Sequence, residues 1–217
     1  MENEELKALA AQLRQPHGTK GSQMGDIMNE SNGNMTRQTI NSLDIVDGDQ
    51  VLELGHGNCA HLSYIMDRYK NTLYYGLEIS ELMHSEARQI NKTYVEKNQA
   101  FFFMYDGLDI PFGENYFDKA YTVNTIYFWE EPEKLLTGIY KVMKPGGLFS
   151  IAFAQKSFME QLPFTKFGFT LYDTSKIEEL VRKTAFKIAE TSTQVERIPG
   201  KIGGMVDREF TIMTLVK

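Results

Sequence analysis

Hydrophobic residues recur with two different spacings that alternate from residue 47 onward. After the turn signal Asp47-Gly48-Asp49, short apolar stretches predict β-strands, and segments with apolar residues three or four apart predict helices between them. The predicted strands are 50–54, 73–78, 100–105, 116–123 and 148–154, and the helices are 60–69, 81–97 and 133–143. Since strands and helices alternate, we expect a parallel, doubly wound α/β sheet with right-handed crossovers.

Both ends of the chain depart from this alternation. Helical spacing predicts helices over 3–14 and 23–42, separated by a Gly-rich loop at 16–22. Asn and Gly in the middle of the second helix predict a break, because both are poor helix formers. We therefore divide the chain into an N-terminal helical cap or lid, 1–45, and a main domain, 46–217.

The C-terminal part is expected to close the sheet with a reversed strand. A helix is predicted over 174–184, capped by Asp173 or Thr174, and strands are predicted over 187–195 and 208–216. No helical segment separates these two strands, so they are expected to form an antiparallel hairpin.

The strongest local signal is a glycine-rich turn after the first strand. Gly55 and Gly57 allow the backbone to turn sharply and to approach a ligand closely. Glu78 ends the second strand about 20 residues further on, where a carboxylate can accept hydrogen bonds from both hydroxyls of a ribose. Taken alone, these features also fit the fingerprint of a nicotinamide or flavin site, in which Ala60 would be the third small residue. A further alternative is a tight turn that binds no ligand.

Further features separate these alternatives. Glu53 lies two positions before the first glycine, where a nicotinamide site usually has an apolar residue because an unpartnered charge is costly there. Tyr105-Asp106-Gly107 closes the third strand, and Lys144-Pro145-Gly146-Gly147 leads into the fifth. Together with the closing hairpin, these features argue against a nicotinamide site.

With these motifs the chain resembles the class I S-adenosylmethionine (SAM)-dependent methyltransferases. The similarity is to the small-molecule branch that includes the ubiquinone/menaquinone-biosynthesis and type 11 enzymes, and it covers 45–155 well and the tail in topology. It implies a Rossmann-like seven-stranded sheet in the order 3-2-1-4-5-7-6 with strand 7 antiparallel. It also implies SAM as cofactor and a small-molecule methyl acceptor.

The resemblance assigns cofactor contacts to the ends of the first two strands. It places Glu53, Gly55 and Gly57 beneath the methionine part of SAM. Glu78 matches the acidic residue that holds the ribose hydroxyls, and Ile79 follows it beside the adenine.

Further contacts are implied at the third and fourth strands. Asp106 matches the residue that meets the adenine amino group, with Gly107 next to it, and Asn124 lies at the mouth of the site. His56, inside the glycine turn, is expected either to contact the cofactor or the acceptor or to be simply exposed.

The chain also departs from the family pattern. Cys59 stands where a third glycine is common, and we expect it at a helix start, packed under the glycine turn rather than acting as a nucleophile. Asn124-Thr125-Ile126-Tyr127 replaces Asn/Asp-Pro-Pro-Tyr, which argues against the enzymes that methylate the amino groups of adenine bases and glutamine side chains.

Composition limits the partners and the compartment. The net charge of −6, without a run of Lys and Arg, argues against nucleic acid. No apolar stretch approaches the roughly 20 residues that span a bilayer, and the acidic first residues do not resemble a signal peptide. We therefore expect a cytoplasmic protein with no membrane partner.

The single cysteine excludes a disulfide within the chain, and His17, His61 and His84 lack metal-ligand spacing, so no metal is expected.

Aromatic residues between the fifth strand and the next helix suggest where the acceptor binds. The segment 153–172 lies at the carboxyl edge of the sheet and is rich in Phe without helical spacing. We expect it to form an apolar lid with the N-terminal cap, over a partly apolar acceptor, although plain packing is the alternative.

The sequence thus predicts a SAM-dependent methyltransferase that acts on a small molecule. The alternatives are an NAD(P)-dependent oxidoreductase and a non-catalytic SAM-binding protein. His17, His56 and Tyr127 are candidate bases, but no catalytic residue is assigned. The acceptor, the atom methylated and the oligomeric state stay open.

Overall fold

The computed structural model describes residues 2–200 and 203–217, and its strands form one seven-stranded sheet in the order β3-β2-β1-β4-β5-β7-β6. The strands are β1 Gln50–Leu54, β2 Leu73–Glu78, β3 Ala100–Met104, β4 Phe117–Val123, β5 Met143–Ala154, β6 Lys187–Pro199 and β7 Met205–Val216. Neighbouring strands from β3 to β5 pair in parallel, and β7 pairs antiparallel with both β5 and β6. The predicted sheet order and the reversed seventh strand are confirmed.

The described residues form eight α-helices. They are α1 Asn3–Arg14, α2 Gly18–Asn41, α3 Ser63–Met66, α4 Glu81–Ile90, α5 Lys92–Glu96, α6 Pro132–Val142, α7 Lys156–Met159 and α8 Thr174–Arg182. Two 3₁₀ turns, Ile126–Phe128 and Pro163–Lys166, complete the structure. The predicted cap of α8 is confirmed, because the Asp173 side chain accepts a hydrogen bond from the Lys176 N–H.

Helix α2 is continuous, so the predicted break within 23–42 is wrong. The loop predicted at 16–22 is shorter than expected, because only residues 15–17 separate α1 from α2. Two glycines of α2 lie where this helix packs closely against α4. A Cβ at Gly21 would lie 2.6 Å from Leu82 Cδ2, and one at Gly25 would lie 2.8 Å from Met83 Sδ. Tertiary packing of this kind outweighs the low intrinsic helix propensity of glycine.

The helix predicted over 60–69 contains only α3, and the helix predicted over 81–97 divides into α4 and α5. Asn91 marks the division, and its side-chain amide donates hydrogen bonds to the Cys59 and Ala87 carbonyl oxygens. Cys59 has a φ of +51° in the turn before α3, so its expected place at a helix start is wrong, although it is buried as expected.

Strands β6 and β7 are longer than predicted, since β6 continues to Pro199 and β7 begins at Met205. Strand β5 pairs with β7 only as far as Ala154, opposite Phe210. The remainder of the hairpin therefore projects beyond the carboxyl edge of β5, toward the N-terminal helices.

The end of α2 belongs to the same hydrophobic core as the sheet. Ile40, Leu43 and Ile45 are buried in one cluster with Val51 of β1 and Tyr74 of β2. The division between 1–45 and 46–217 stays a prediction. Among the described residues, every helix is too short or too polar to cross a membrane.

Candidate active site

A cavity of about 150 Å³, here called the cofactor cavity, lies at the carboxyl ends of β1, β2 and β4. The end of α1 and the middle of α2, from Gly25 to Thr36, contribute to its wall. Eight of the nine predicted cofactor-binding residues line it, namely Glu53, Gly55, His56, Gly57, Glu78, Ile79, Gly107 and Asn124. The topology therefore brings together residues that lie far apart in the sequence.

The turn after β1 depends on glycine at two positions. Gly55 and Gly57 have φ angles of +71° and +56°, in the left-handed region that favours glycine. The Gly55 N–H donates to the Leu77 carbonyl oxygen at 2.8 Å, and the Gly57 N–H donates to Glu78 Oε2 at 3.0 Å. These bonds fasten the turn to the end of β2.

The two glycines differ in the space around them, which allows a matched pair of variants. A Cβ at Gly57 would meet no atom within 4 Å, whereas one at Gly55 would overlap Thr125 Cγ2. Gly57→Ala should destabilise the fold by about 1–2 kcal/mol through its backbone conformation alone. Gly55→Ala should cost about 1–3 kcal/mol more because of the overlap, measured by urea denaturation.

Thr125→Ser, which removes that methyl group and keeps the hydroxyl, should recover the additional cost when it is combined with Gly55→Ala. Equal stability of the two glycine variants would contradict the close contact at Gly55.

Glu78 is buried at the end of β2, with 4% of its surface exposed. Its Oε1 accepts hydrogen bonds from the N–H groups of Ile79 at 2.8 Å and Ser80 at 2.9 Å, and its Oε2 accepts the bond from Gly57. Burial raises the pKa of Glu78 to about 7, although these three N–H groups act in the opposite direction. Small changes of pH near neutrality therefore change the charge of this carboxyl group.

Glu53 lies beneath the glycine turn as the centre of a buried polar cluster. Its Oε2 accepts hydrogen bonds from Tyr74 Oη, from Tyr121 Oη at 2.8 Å and from His61 Nε2 at 2.9 Å. Burial acts to raise the pKa of Glu53, but His61 and the hydrogen bonds outweigh it and lower that pKa. A carboxylate is therefore maintained below the cofactor cavity.

The cluster contains three side chains of metal-binding type, a juxtaposition that the sequence spacing did not reveal. Ligand atoms of Glu53, Cys59 and His61 lie within 4.8 Å of one another. Burial raises the pKa of Cys59 well above its usual value, and its thiol lies 3.2 Å from Tyr74 Oη. The three groups are thus already engaged in hydrogen bonds, and the prediction that no metal binds stays a prediction.

His56 is buried, so the alternative of simple exposure is wrong. Its Nδ1 lies 2.7 Å from the Gly57 carbonyl oxygen, and its ring packs edge-on against Phe102 at 5.1 Å between centroids. A Cβ at Gly76 would lie 2.6 Å from His56 Cδ2, so glycine in β2 makes room for the ring. Burial lowers the pKa of His56 to about 4, which keeps the ring neutral.

Asp106 is the one predicted residue outside the wall of the cofactor cavity. It is exposed, and its Oδ1 accepts hydrogen bonds from the Asp109 and Leu108 N–H groups, which lower its pKa. Gly107 beside it has a φ of +82° and does line the cavity. A contact between Asp106 and an adenine stays a prediction.

Asn124 follows β4 with a φ of +57°, and three hydrogen bonds fix its side chain. Its Oδ1 accepts bonds from Tyr127 Oη at 2.9 Å and the Ala154 N–H at 3.2 Å, and its Nδ2 donates to Asn32 Oδ1 at 3.0 Å. Asn32 is not among the site residues predicted from the sequence, and it lies where the break in α2 was predicted.

A second cavity of about 90 Å³ lies on the other side of Asn32 and Asn124, which line both cavities. Its remaining walls come from Leu13 of α1, Met28 of α2, the Tyr127–Phe128 turn, the segment after β5 and the projecting end of the β6–β7 hairpin. Its aromatic residues are Tyr127, Phe128, Phe158, Phe164 and Phe169. The aromatic segment 153–172 therefore borders a cavity next to the cofactor cavity.

The candidate bases lie in different places. His17 is exposed outside both cavities, and its Nδ1 lies 3.0 Å from the Gln15 carbonyl oxygen. Burial raises the pKa of Tyr127, whose hydroxyl is bonded to Asn124 and to the Ala154 backbone.

Trp129 lines the cofactor cavity and donates to Thr125 Oγ1 at 3.1 Å.

The fold and the cofactor cavity define a Rossmann-like protein that binds a ribose-containing cofactor. The glycine turn leaves room for a ligand at the end of β1, and the buried Glu78 provides a carboxylate at the end of β2, so the residues present fit SAM. Comparison with known proteins identifies the family.

Residues 52–151 match the family model described as a methyltransferase domain. An uncharacterized methyltransferase, YdaC of Bacillus subtilis, is 30% identical over 128 residues, which are 58% of this chain and 68% of YdaC. The fatty-acid O-methyltransferase of Mycolicibacterium smegmatis is 30% identical over 105 residues, 48% of this chain and 36% of that protein.

A chain from the solved complex that contains the Haloferax volcanii Trm112 methyltransferase activator has the same fold. Its TM-score is 0.74 at 19% identity, with 96% of each chain covered. Together with the sequence matches, this places the protein in the class I SAM-dependent methyltransferases. It is an enzyme of that family, and its cofactor is SAM.

Proposed function

We propose that this enzyme transfers the methyl group of SAM to a small molecule bound in the second cavity. The observation that carries the proposal is that this cavity adjoins the cofactor cavity and shares Asn32, Asn124 and Phe128 with it. An acceptor there would lie beside the cofactor and be covered by α1, α2 and the hairpin.

The chemistry requires alignment more than activation by the protein. SAM, when bound, supplies a methyl group on a sulfonium, whose leaving group is already activated. The protein then holds the acceptor atom in line and excludes water, and such alignment can supply about 7–11 kcal/mol of the barrier. The buried side chains around both cavities are suited to that role.

We assign the cofactor contacts as follows. Gly55 and Gly57, above Glu53, face the methionine part of SAM, and Glu78 accepts hydrogen bonds from the ribose hydroxyls. The adenine lies between Ile79 and Gly107, both of which line the cavity. In this arrangement Asp106 turns from its present hydrogen bonds to meet the adenine amino group, and Asn124 faces the reacting end.

A pH dependence follows from Glu78. The carboxylate accepts hydrogen bonds from two ribose hydroxyls and the neutral acid accepts them less well, so binding favours the ionised form. With the pKa of Glu78 near 7, affinity should rise by up to about tenfold between about pH 6 and about pH 8. Isothermal titration calorimetry with 5′-methylthioadenosine, which has the ribose but no amino-acid group, measures this.

The matched control for that titration is Glu78→Gln, which has no ionisable group at this position. Its affinity for 5′-methylthioadenosine should be flat over the same pH range. A rise of the same size in this variant would show that another group titrates.

The acceptor proposal is tested by supplying SAM with a labelled methyl group and a cell extract divided by size. We expect label in the small-molecule fraction and stoichiometric S-adenosylhomocysteine (SAH), by mass spectrometry. At limiting SAM, Glu78→Gln should transfer at least about tenfold less label. Label confined to the macromolecular fraction would overturn the proposal. SAM binding without any transfer would favour a non-catalytic SAM-binding protein.

The buried thiol of Cys59 is consistent with a reducing compartment, and the acidic net charge of −6 is unfavourable for binding nucleic acid. We infer a cytoplasmic enzyme that has neither nucleic acid nor a membrane as its partner.

A further inference from the structure

The second cavity has an apolar body and one polar end. Its apolar wall includes Met28, Met159, Leu162, Phe164 and Val206. Its polar groups lie in the wall shared with the cofactor cavity, where the side chains of Asn32 and Asn124 meet beside the apolar Leu13, Met28 and Phe128. A ligand that matches this wall has an apolar body and carries its polar group at one end.

The only charged side chain among the described residues of that wall is Arg208, and its charge is already paired. Its Nε and Nη2 donate to Glu196 Oε1, at 3.1 and 2.5 Å. Its remaining bonds go to the Ser31 carbonyl oxygen and to Asn32 Oδ1, both at 2.9 Å. The Arg208 side chain is 4% exposed and its charge is paired with Glu196, so a charged ligand would meet no free counter-charge there.

The same network orients the amide of Asn32. Arginine can only donate hydrogen bonds, so the Asn32 atom that faces Arg208 must be its oxygen. That oxygen also accepts the bond from Asn124 Nδ2. The Asn32 nitrogen is thereby directed away from both partners, and no described residue accepts a hydrogen bond from it. It is placed to donate to a ligand oxygen at the boundary of the two cavities.

We propose that the second cavity selects an uncharged acceptor with an apolar body and a single oxygen head, and that Asn32 donates a hydrogen bond to that oxygen. Asn32 is then a specificity-determining residue, held in place by Arg208 and Glu196. The inference rests on the proposed function, because it assumes that the acceptor occupies this cavity. It narrows the acceptor to neutral phenols, alcohols and similar compounds. In such a transfer the acceptor oxygen forms the bond to the methyl carbon as the carbon–sulfur bond of SAM breaks, SAH leaves with that electron pair, and the hydroxyl proton passes to water.

Probes with one naphthalene body and different heads test this class. Binding to the SAH-loaded protein would be measured by fluorescence for 2-naphthol, naphthalene and 2-naphthoate. We expect 2-naphthol to bind about fivefold more tightly than naphthalene, the ratio that one typical hydrogen bond supplies. 2-Naphthoate should bind more weakly than 2-naphthol, because its charge would be buried without a partner.

Variants assign the effect to residues. Asn32→Ala should remove the preference for 2-naphthol over naphthalene. Phe164→Ala should weaken both probes while SAH still binds, since Phe164 lines only the second cavity. Arg37→Ala, at an exposed position of the same helix outside both cavities, should change neither affinity.

Several results would overturn the inference. Equal binding of 2-naphthol and 2-naphthoate to the wild-type protein would overturn the inference. This comparison needs no variant, so it holds even if a variant fails to fold. If none of the probes binds to a wild-type protein that still binds SAH, the proposed acceptor class is refuted. Methyl transfer to a small molecule is then decided by the labelling experiment. Failure to bind SAH would instead refute the cofactor assignment on which the proposed function depends.

Discussion

Replacing Glu78 with glutamine is expected to weaken the binding of SAH at least about tenfold. The carboxylate is buried at the end of β2 and lines the cofactor cavity. Each hydrogen bond from a ribose hydroxyl to a charged oxygen contributes about 1.5–3 kcal/mol, and 1.4 kcal/mol corresponds to a factor of ten in affinity. Glutamine is the same size and removes the charge, but its amide nitrogen cannot accept the backbone N–H bonds that one Glu78 oxygen accepts. Urea denaturation of the variant therefore accompanies the binding measurement. Isothermal titration calorimetry with SAH measures the change.

The matched control is Glu81→Gln, three residues further along the chain. Glu81 is exposed at the start of α4 and does not line the cavity. Glu81→Gln removes the same charge as Glu78→Gln, but at an exposed position outside the cavity, where solvent screens it. The affinity of this variant for SAH should therefore stay within about twofold of the wild type. Unchanged affinity in Glu78→Gln, or an equal loss in Glu81→Gln, would show that Glu78 does not hold the ribose.

Replacing Arg208 with methionine should destabilise the fold by about 3–5 kcal/mol, the usual cost of removing one partner from a buried ion pair. The side chains of Arg208 and Glu196 are 4% and 10% exposed, so the variant leaves a carboxylate uncompensated inside the protein. It also removes the hydrogen bonds that join β7 to Ser31 and Asn32 of α2. Urea denaturation of the purified protein measures the difference.

The double variant Arg208→Met with Glu196→Leu should recover much of that loss, because no orphaned charge remains. Lys183→Met, which breaks the exposed ion pair between Lys183 and Glu133, should change stability little. If the double variant were as unstable as Arg208→Met alone, the unpaired charge would not be the cause.

The architecture could be predicted because it follows from local patterns and from the resemblance that those patterns supported. Alternating strands and helices predicted the parallel sheet, and the closing strands without a helix between them predicted the hairpin. Two parts of the site could be predicted, namely the turn at Gly55 and Gly57 and the carboxylate of Glu78. Each lies at the end of a predicted strand, where ligands bind in an open α/β sheet.

The features that could not be predicted depend on contacts between distant residues. Arg208 meets Asn32 across 176 positions, and no local pattern connects them. The continuity of α2 depends on α4, against which Gly21 and Gly25 pack. The burial of His56 likewise depends on the missing side chain at Gly76 in the neighbouring strand.

The most direct test of the account is a crystal structure of the protein with SAH. It should show both ribose hydroxyls within hydrogen-bond distance of the Glu78 carboxylate, the homocysteine part over the turn at Gly55 and Gly57, and the sulfur facing Asn124 and the second cavity. A ribose placed away from Glu78, or a sulfur that faces away from the second cavity, would contradict it.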